Sequence, residues 1–199
     1  MDQTELMCAM YSDPDTVKAA LDQVTSVLIE YVSCYIKAIG ADKIIGNLWP
    51  YIIFPAEYGV CITQDYMPLL EPEQYEEVEI PRLKRIADTF GGVFIHCCGE
   101  YERHFAALRL SGIKIRGMEQ HYPCTKIWNQ YEVFGDSMFY VPLVIPNNEY
   151  RSMADFCKSM SERHCAKTRL WFSTSGEAFD ADLAKLLNPS ESERSRTII

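Results

Sequence analysis

The sequence has no cluster of lysine and arginine, no uninterrupted apolar run of membrane-spanning length and no Cys-x-x-Cys pair. Its 19 basic residues are outnumbered by 28 acidic ones, and the formal net charge of −9 argues against binding to nucleic acid or to an anionic membrane surface. The longest apolar stretch, Val24 to Ile39, is interrupted by Glu30 and Lys37 and is too polar to cross a bilayer.

Signals for secretion and for disulfide bonding are also missing. Asp2 and Glu5 stand where a signal peptide would carry basic residues and then an apolar core, so we expect no signal peptide. We therefore predict a cytoplasmic protein with reduced thiols, and several of these, such as Cys34 on an apolar helix face, are expected in the core. The eight cysteines show no regular spacing and lie at positions 8, 34, 61, 97, 98, 124, 157 and 165.

The pattern of elements predicts an α/β fold. Ser12-Asp13-Pro14-Asp15 is typical of a helix start, and apolar residues at helical spacing continue to Gly40. Further helices are predicted at 71–90 (interrupted at Pro81), 101–110, 124–134, 148–167 and 178–187, and an aromatic loop at 49–67. Strands are predicted at 43–47, 93–98, 113–118, 138–145 and 169–173.

This alternation favours a partial TIM-like (β/α) barrel with about five parallel strands and crossover helices. A complete eight-fold barrel needs about 250 residues, and the chain has 199. We therefore predict one (β/α) domain over residues 1–187, which is roughly three strand–helix units short of a full barrel, and a polar tail at 188–199. An open sheet of this kind exposes its edges, so we expect either a homo-oligomer or a fragment of a longer chain.

The strand at 93–98 ends in residues that can bind a metal. Alternation along a strand places His96 and Cys98 on one side and Cys97 on the other. A neutral imidazole and a thiolate together are preferred zinc ligands. Two core residues at a strand end are the alternative, and Cys97 is expected to pack against a helix.

The order of motifs resembles the uroporphyrinogen decarboxylase superfamily, and within it the zinc methyltransferases that act on methylated corrinoids. The resemblance covers residues 12 to about 177 and only the later part of the family barrel, without the first strands that carry the arginines of the decarboxylases. The matching pieces are Asp13-Pro14, Ala38-Ile39-Gly40-Ala41-Asp42, Leu70-Glu71-Pro72-Glu73-Gln74-Tyr75, Pro81-Arg82-Leu83-Lys84 and Ile95-His96-Cys97-Cys98-Gly99.

The resemblance implies that His96, Cys98 and Glu119 bind zinc. The family's methyltransferases add a distant cysteine, but Ser175 stands near that position here. Three groups alone hold the metal, or Cys124 or His121 substitutes, or the affinity is reduced. Catalytic roles are expected for Glu119 and His121.

Substrate contacts are expected at Asn47, Trp49 and Asp65. The aromatic residues of the 49–67 loop either form a wall for a corrinoid ring or cap the open barrel end or a subunit interface; they are Trp49, Tyr51, Phe54, Tyr58 and Tyr66. His104 is expected at the surface or at a helix cap, and His164 and Cys165 are expected to be structural.

In the function that the resemblance implies, zinc activates a small-molecule thiol, which takes a methyl group from a corrinoid on a separate carrier protein. One alternative is a metal-free, tetrapyrrole-binding relative of uroporphyrinogen decarboxylase. The other is a non-catalytic truncated barrel, or a subunit that another chain completes.

Overall fold

The computed structural model describes residues 3–48, 52–144, 148–152, 154–156 and 158–159. Its first elements are two helices, α1 (Gln3–Ser12) and α2 (Pro14–Ile39). The Asp13 side chain accepts a hydrogen bond from the Thr16 amide at 3.4 Å, and Gly40 ends α2 at φ +97°. The predicted start and end of this long helix are confirmed.

A small hairpin follows α2. Strand β1 (Ile45–Leu48) pairs antiparallel with β2 (Ile52–Pro55), and β3 (Val60–Thr63) comes after a short turn. The strand predicted at 43–47 therefore exists as β1, but the expectation that it belongs to the parallel sheet is wrong. The predicted loop at 49–67 is wrong as well, because β2 and β3 lie within it.

The rest of the described chain alternates helices with single strands, as predicted. One widened π-type turn, Tyr75–Glu79, lies before Pro81. In this turn the Ile80 amide donates a hydrogen bond to the Tyr75 carbonyl. The elements are α3 (Pro72–Gln74), α4 (Ile80–Phe90), β4 (Val93–Cys97), α5 (Phe105–Leu110), β5 (Ile115–Tyr122), α6 (Ile127–Phe134) and β6 (Phe139–Val144).

Within the described residues the main sheet is parallel, with four strands in the order β3-β4-β5-β6. Together with its crossover helices it confirms an α/β fold of the partial TIM-like kind. The predicted third strand ends too early at 118, since β5 continues to Tyr122. The predicted strand at 169–173, the helix at 178–187 and the tail at 188–199 lie outside the described residues.

The helix predicted to begin at residue 148 starts later. Residues 148–152 are not helical, and helical backbone is described at 154–156 and 158–159. The Ser152 hydroxyl accepts a hydrogen bond from the Asp155 amide at 3.1 Å, which is the spacing of a helix N-cap. Ser152 therefore marks the start of this helix.

The two faces of the sheet have different coverings. Val93, Ile95 and Cys97 of β4 pack into the main hydrophobic core with residues of the helices. On the opposite face Phe54 of the hairpin stacks on Phe94, with ring centroids 4.1 Å apart. The hairpin thus covers part of the face that lies away from the helices, and the strand ends beyond Phe94 carry the site described below.

Helix α2 packs against the rest of the domain along one side only. Cys34 is exposed, so its predicted place in the core is wrong. Tyr31 and Tyr35, which belong to the apolar pattern that predicted this helix, are also exposed, at 68% and 52%. Periodicity correctly predicted the helix but overestimated how much of its surface is covered. No helix in the described part of the chain combines the length and apolar character needed to cross a membrane.

Candidate metal centre

The ends of two neighbouring strands bring the chemically active side chains together. In the parallel register His96 of β4 is the partner of Glu119 of β5, so both point to the face away from the helices. Cys98 and His121 lie two residues further along each chain and share that face. The expected separation of Cys97 from His96 and Cys98 is confirmed, because Cys97 is fully buried in the helix-side core.

Three side chains place donor atoms close enough to share one metal ion. The donor atoms of His96, Cys98 and His121 all lie within 4.8 Å of one another. The Cys98 sulfur is 3.2 Å from His96 Nε2, and the two imidazole rings meet edge to face with centroids 5.8 Å apart.

This donor set fits a zinc ion. With bond lengths of about 2.0 Å to nitrogen and about 2.3 Å to sulfur, tetrahedral zinc separates such ligands by roughly 3.5 Å. The observed separation of 3.2 Å between sulfur and nitrogen is close to this value. Zinc binds imidazole and thiolate ligands well, whereas calcium and magnesium prefer oxygen ligands.

Glu119 lies behind the three donors. Its carboxylate contacts His96 Nδ1, its Oε1 is 3.3 Å from His121 Nε2, and the residue is only 4% exposed. Engaging Nδ1 leaves His96 Nε2 facing Cys98. A carboxylate in this position fixes the tautomer and the ring orientation of a ligating histidine. The geometry thus places His121, which the sequence offered as a substitute ligand, in the donor group, and Glu119 beside it.

The protonation of the metal-free site follows from these contacts. The hydrogen bond with Glu119 raises the pKa of His96, against the opposing effect of burial. Burial raises the pKa of the Cys98 thiol to about 11, and the negative charge of Asp65 adds to the shift. Without a metal, His96 is therefore readily protonated and Cys98 is a neutral thiol. Two carboxylates beside the donors favour a cation at this position.

The other predicted contact residues are distributed unevenly. Asp65 lies at the site, where its Oδ1 accepts a hydrogen bond from the Cys98 amide at 2.9 Å. Cys124 is exposed and free and is not in the group of three donors. Asn47 lies in β1, whereas Trp49 and Tyr51 fall outside the described residues.

The aromatic residues 54, 58 and 66 have three different surroundings. Phe54 is buried over the sheet, which favours the interpretation of a cap. Tyr58 lies beneath the Arg116 guanidinium, whose carbon is 5.2 Å from the ring centroid. Tyr66 is 42% exposed, next to Asp65.

Of the two positions expected for His104, the surface is wrong, whereas the helix cap is confirmed: His104 stands at the N-cap position of α5, without a capping hydrogen bond from its side chain. This residue is fully buried, and its ring lies 4.7 Å from that of Tyr75, centroid to centroid. Burial lowers its pKa, so it is a neutral core histidine. His164 and Cys165 lie outside the described residues.

Reasoning from the sequence missed the inclusion of His121 in a strand. The sequence predicts a strand over 113–118 that runs into Glu119, Gln120 and His121, and it places His121 in a loop before Tyr122-Pro123. The residues Glu119 and His121 nevertheless follow the period-two alternation of a strand, which is the signal that extends β5 through the site.

Comparison with protein families gave one match. The model of the family described as uroporphyrinogen decarboxylase (URO-D) matches residues 1–138. This range contains the whole donor group and the first three strands of the parallel sheet. Comparison with curated proteins gave no significant match, and comparison with solved structures gave none either.

Proposed function

Because the chain belongs to the uroporphyrinogen decarboxylase family, we propose that it is a zinc-dependent methyltransferase domain that moves a methyl group between a corrinoid carrier and a thiol. The observation that supports this most directly is the group formed by His96, Cys98 and His121 at the carboxyl ends of parallel strands. Barrel enzymes perform their chemistry at that end of the sheet. A cytoplasmic location and a separate carrier protein stay predictions.

In this proposal His96, Cys98 and His121 hold the metal through two nitrogens and one sulfur. These three residues would hold the ion and would leave one position open to a substrate, and a bound zinc would supply activation of a thiol as a nucleophile. The donor set carries a single negative charge, from the Cys98 thiolate. Glu119 orients His96 from its far side and is itself buried, at 4% exposed.

The substrate is expected to approach beside Asp65 and Tyr66. Both residues are exposed and directly follow β3, the strand next to β4 in the sheet. The buried Phe54 closes the opposite direction, along the sheet face. The reacting thiol is therefore expected to enter from the carboxyl ends of the strands.

A second candidate is a barrel that another chain completes. Among the described residues β3 and β6 each pair with one strand of the sheet, so both ends of the sheet are edges. A groove of about 190 Å³ also lies along β3, lined by residues of α2 and α4 such as Leu21, Val24 and Leu83. The open edges suit an additional strand. In this candidate the metal group becomes functional only in the assembly.

Metal analysis of purified protein tests the first proposal. We expect about one zinc per chain in the wild type, and loss of that zinc in His96→Ala, Cys98→Ala and His121→Ala. Cys34→Ala is the matched control, because Cys34 is an exposed thiol on α2, and this variant is expected to keep its zinc.

Two further results separate the alternatives. Well-folded wild-type protein that takes up no zinc would refute the proposal and favour a metal-free, tetrapyrrole-binding relative. Zinc-loaded protein that demethylates methylcobalamin in the presence of a thiol, followed by absorbance, supports methyl transfer. Activity that is found only in a larger oligomer, with its mass measured by light scattering, would favour the barrel completed by another chain.

A further inference from the structure

The position of the Cys98 sulfur depends on a turn. Strand β4 ends at Cys97, so Cys98 stands one residue beyond the regular ladder. His96, by contrast, lies inside the strand and is held by pairing on both sides. A ligand on a turn needs support from other contacts if its sulfur is to stay beside His96 Nε2.

The neighbouring strand does not supply that support through its backbone. The ladder between β3 and β4 continues past the end of β3, where the Gln64 amide donates to the His96 carbonyl at 2.8 Å. In a parallel ladder the next bond would run from the Cys98 amide to the Gln64 carbonyl. That carbonyl instead accepts a hydrogen bond from the Met67 amide at 2.9 Å, because the chain turns away.

The Asp65 side chain takes the place of the missing backbone acceptor. Its Oδ1 accepts the Cys98 amide hydrogen bond at 2.9 Å and lies 3.7 Å from His96 Nε2. The same carboxylate thus contacts the residue that carries the sulfur and faces the nitrogen that would share the metal with it. A carboxylate–amide bond is stronger than the neutral bond it replaces.

The remainder of the turn is held at Gly99. A Cβ at Gly99 would stand 2.5 Å from the Pro68 ring, and the Gly99 carbonyl accepts a hydrogen bond from the Thr125 hydroxyl at 3.0 Å. These contacts fix the far side of the turn. Cys98 itself is held through its amide, by the hydrogen bond to Asp65.

We propose that Asp65 is a positioning residue of the metal centre, which holds the Cys98 turn so that the sulfur remains a ligand. This inference rests on the proposed metal site and adds a role that the donor group alone does not assign. Partners that orient metal ligands typically contribute about 10–100-fold in metal affinity.

Two variants isolate the hydrogen bond. Asp65→Asn and Asp65→Ala both remove the negative charge, but the amide oxygen of Asn can still accept from the Cys98 amide. With Co²⁺ as the probe, we expect Asp65→Ala to bind about 10–100-fold more weakly than Asp65→Asn. We also expect the near-ultraviolet thiolate-to-cobalt absorption to disappear in Asp65→Ala and to persist in Asp65→Asn. Equal affinity and equal absorption in the two variants would overturn the inference.

A second measurement does not need the metal. In metal-free protein, alkylation of Cys98 is followed by mass analysis of its peptide. We expect faster alkylation in Asp65→Ala than in Asp65→Asn, because only the first variant releases the turn. If wild-type protein binds no metal, the proposed function fails, while this comparison still decides whether Asp65 holds the Cys98 turn; equal rates in the two variants would overturn that role.

Discussion

Arg82 is expected to be a main attachment of α2 to the domain. One guanidinium nitrogen donates to the Val78 and Glu77 carbonyls of its own helical region, at 3.0 and 3.1 Å. The other donates to the Lys18 carbonyl at 2.9 Å and to the Asp22 carboxylate at 2.8 Å, both on α2. The side chain is 9% exposed. Arg82→Ala therefore removes two bonds between helices at once.

The size of the loss follows from these two bonds. A hydrogen bond to a charged group contributes about 1.5–3 kcal/mol. Asp22 is 50% exposed, so its share is reduced by solvent. We expect Arg82→Ala to lower the free energy of unfolding by about 2–4 kcal/mol, less than two full bonds to a charged group, because water can hydrate Asp22 in the variant.

Arg85 provides a matched control on the same partner. It reaches Asp22 Oδ1 at 3.3 Å and the Ser26 hydroxyl at 2.9 Å, but its side chain is 44% exposed. Exposed pairs of this kind contribute about 0–1 kcal/mol. Urea unfolding followed by circular dichroism compares the two alanine variants. If Arg82→Ala is no less stable than Arg85→Ala, burial of the guanidinium does not govern the attachment of α2.

Two further predictions concern the core. Gly117→Ala places a Cβ 2.7 Å from the Phe94 ring and 3.0 Å from the Phe139 carbonyl, so we expect about 1–3 kcal/mol of destabilisation in denaturant unfolding; an unchanged midpoint would show that the ring moves freely. Burial lowers the pKa of His104 in the folded protein. As the pH falls below about 6.5, the unfolded chain therefore binds a proton at His104 more readily than the folded chain does, and the free energy of unfolding decreases by at most about 1.4 kcal/mol per pH unit. His104→Phe is expected to flatten this dependence relative to wild type, and an identical pH profile of the unfolding midpoint would contradict the assignment.

Local chemistry made the long helix predictable. Asp13, Pro14 and Gly40 fix the start and end of α2 through contacts within a few residues, and such contacts can be inferred from sequence. Strand β3 has no comparable signal. Its four residues, Val60–Thr63, are strand because they pair with β4, and that pairing lies far away along the chain.

The candidate site was predictable in part for the same reason. Alternation alone places His96 and Cys98 on one face, away from Cys97. Which of Glu119 and His121 stands among the donors depends on how far β5 extends and on its register with β4, and neither is a local property. The contact between Asp65 and Cys98 depends on the chain leaving β3 after Gln64, which no motif in the sequence indicates.

The parallel pairing of the main sheet has a kinetic consequence. Among its four described strands, each neighbouring pair is joined through a helical crossover, so none of these pairs can form as a simple hairpin early in folding. His96 and His121 therefore meet only after α5 has formed its crossover and β5 has docked on β4. A metal that needs both would bind late and then slow unfolding of this strand pair, which makes the rate of metal release a reporter of when β4 and β5 separate.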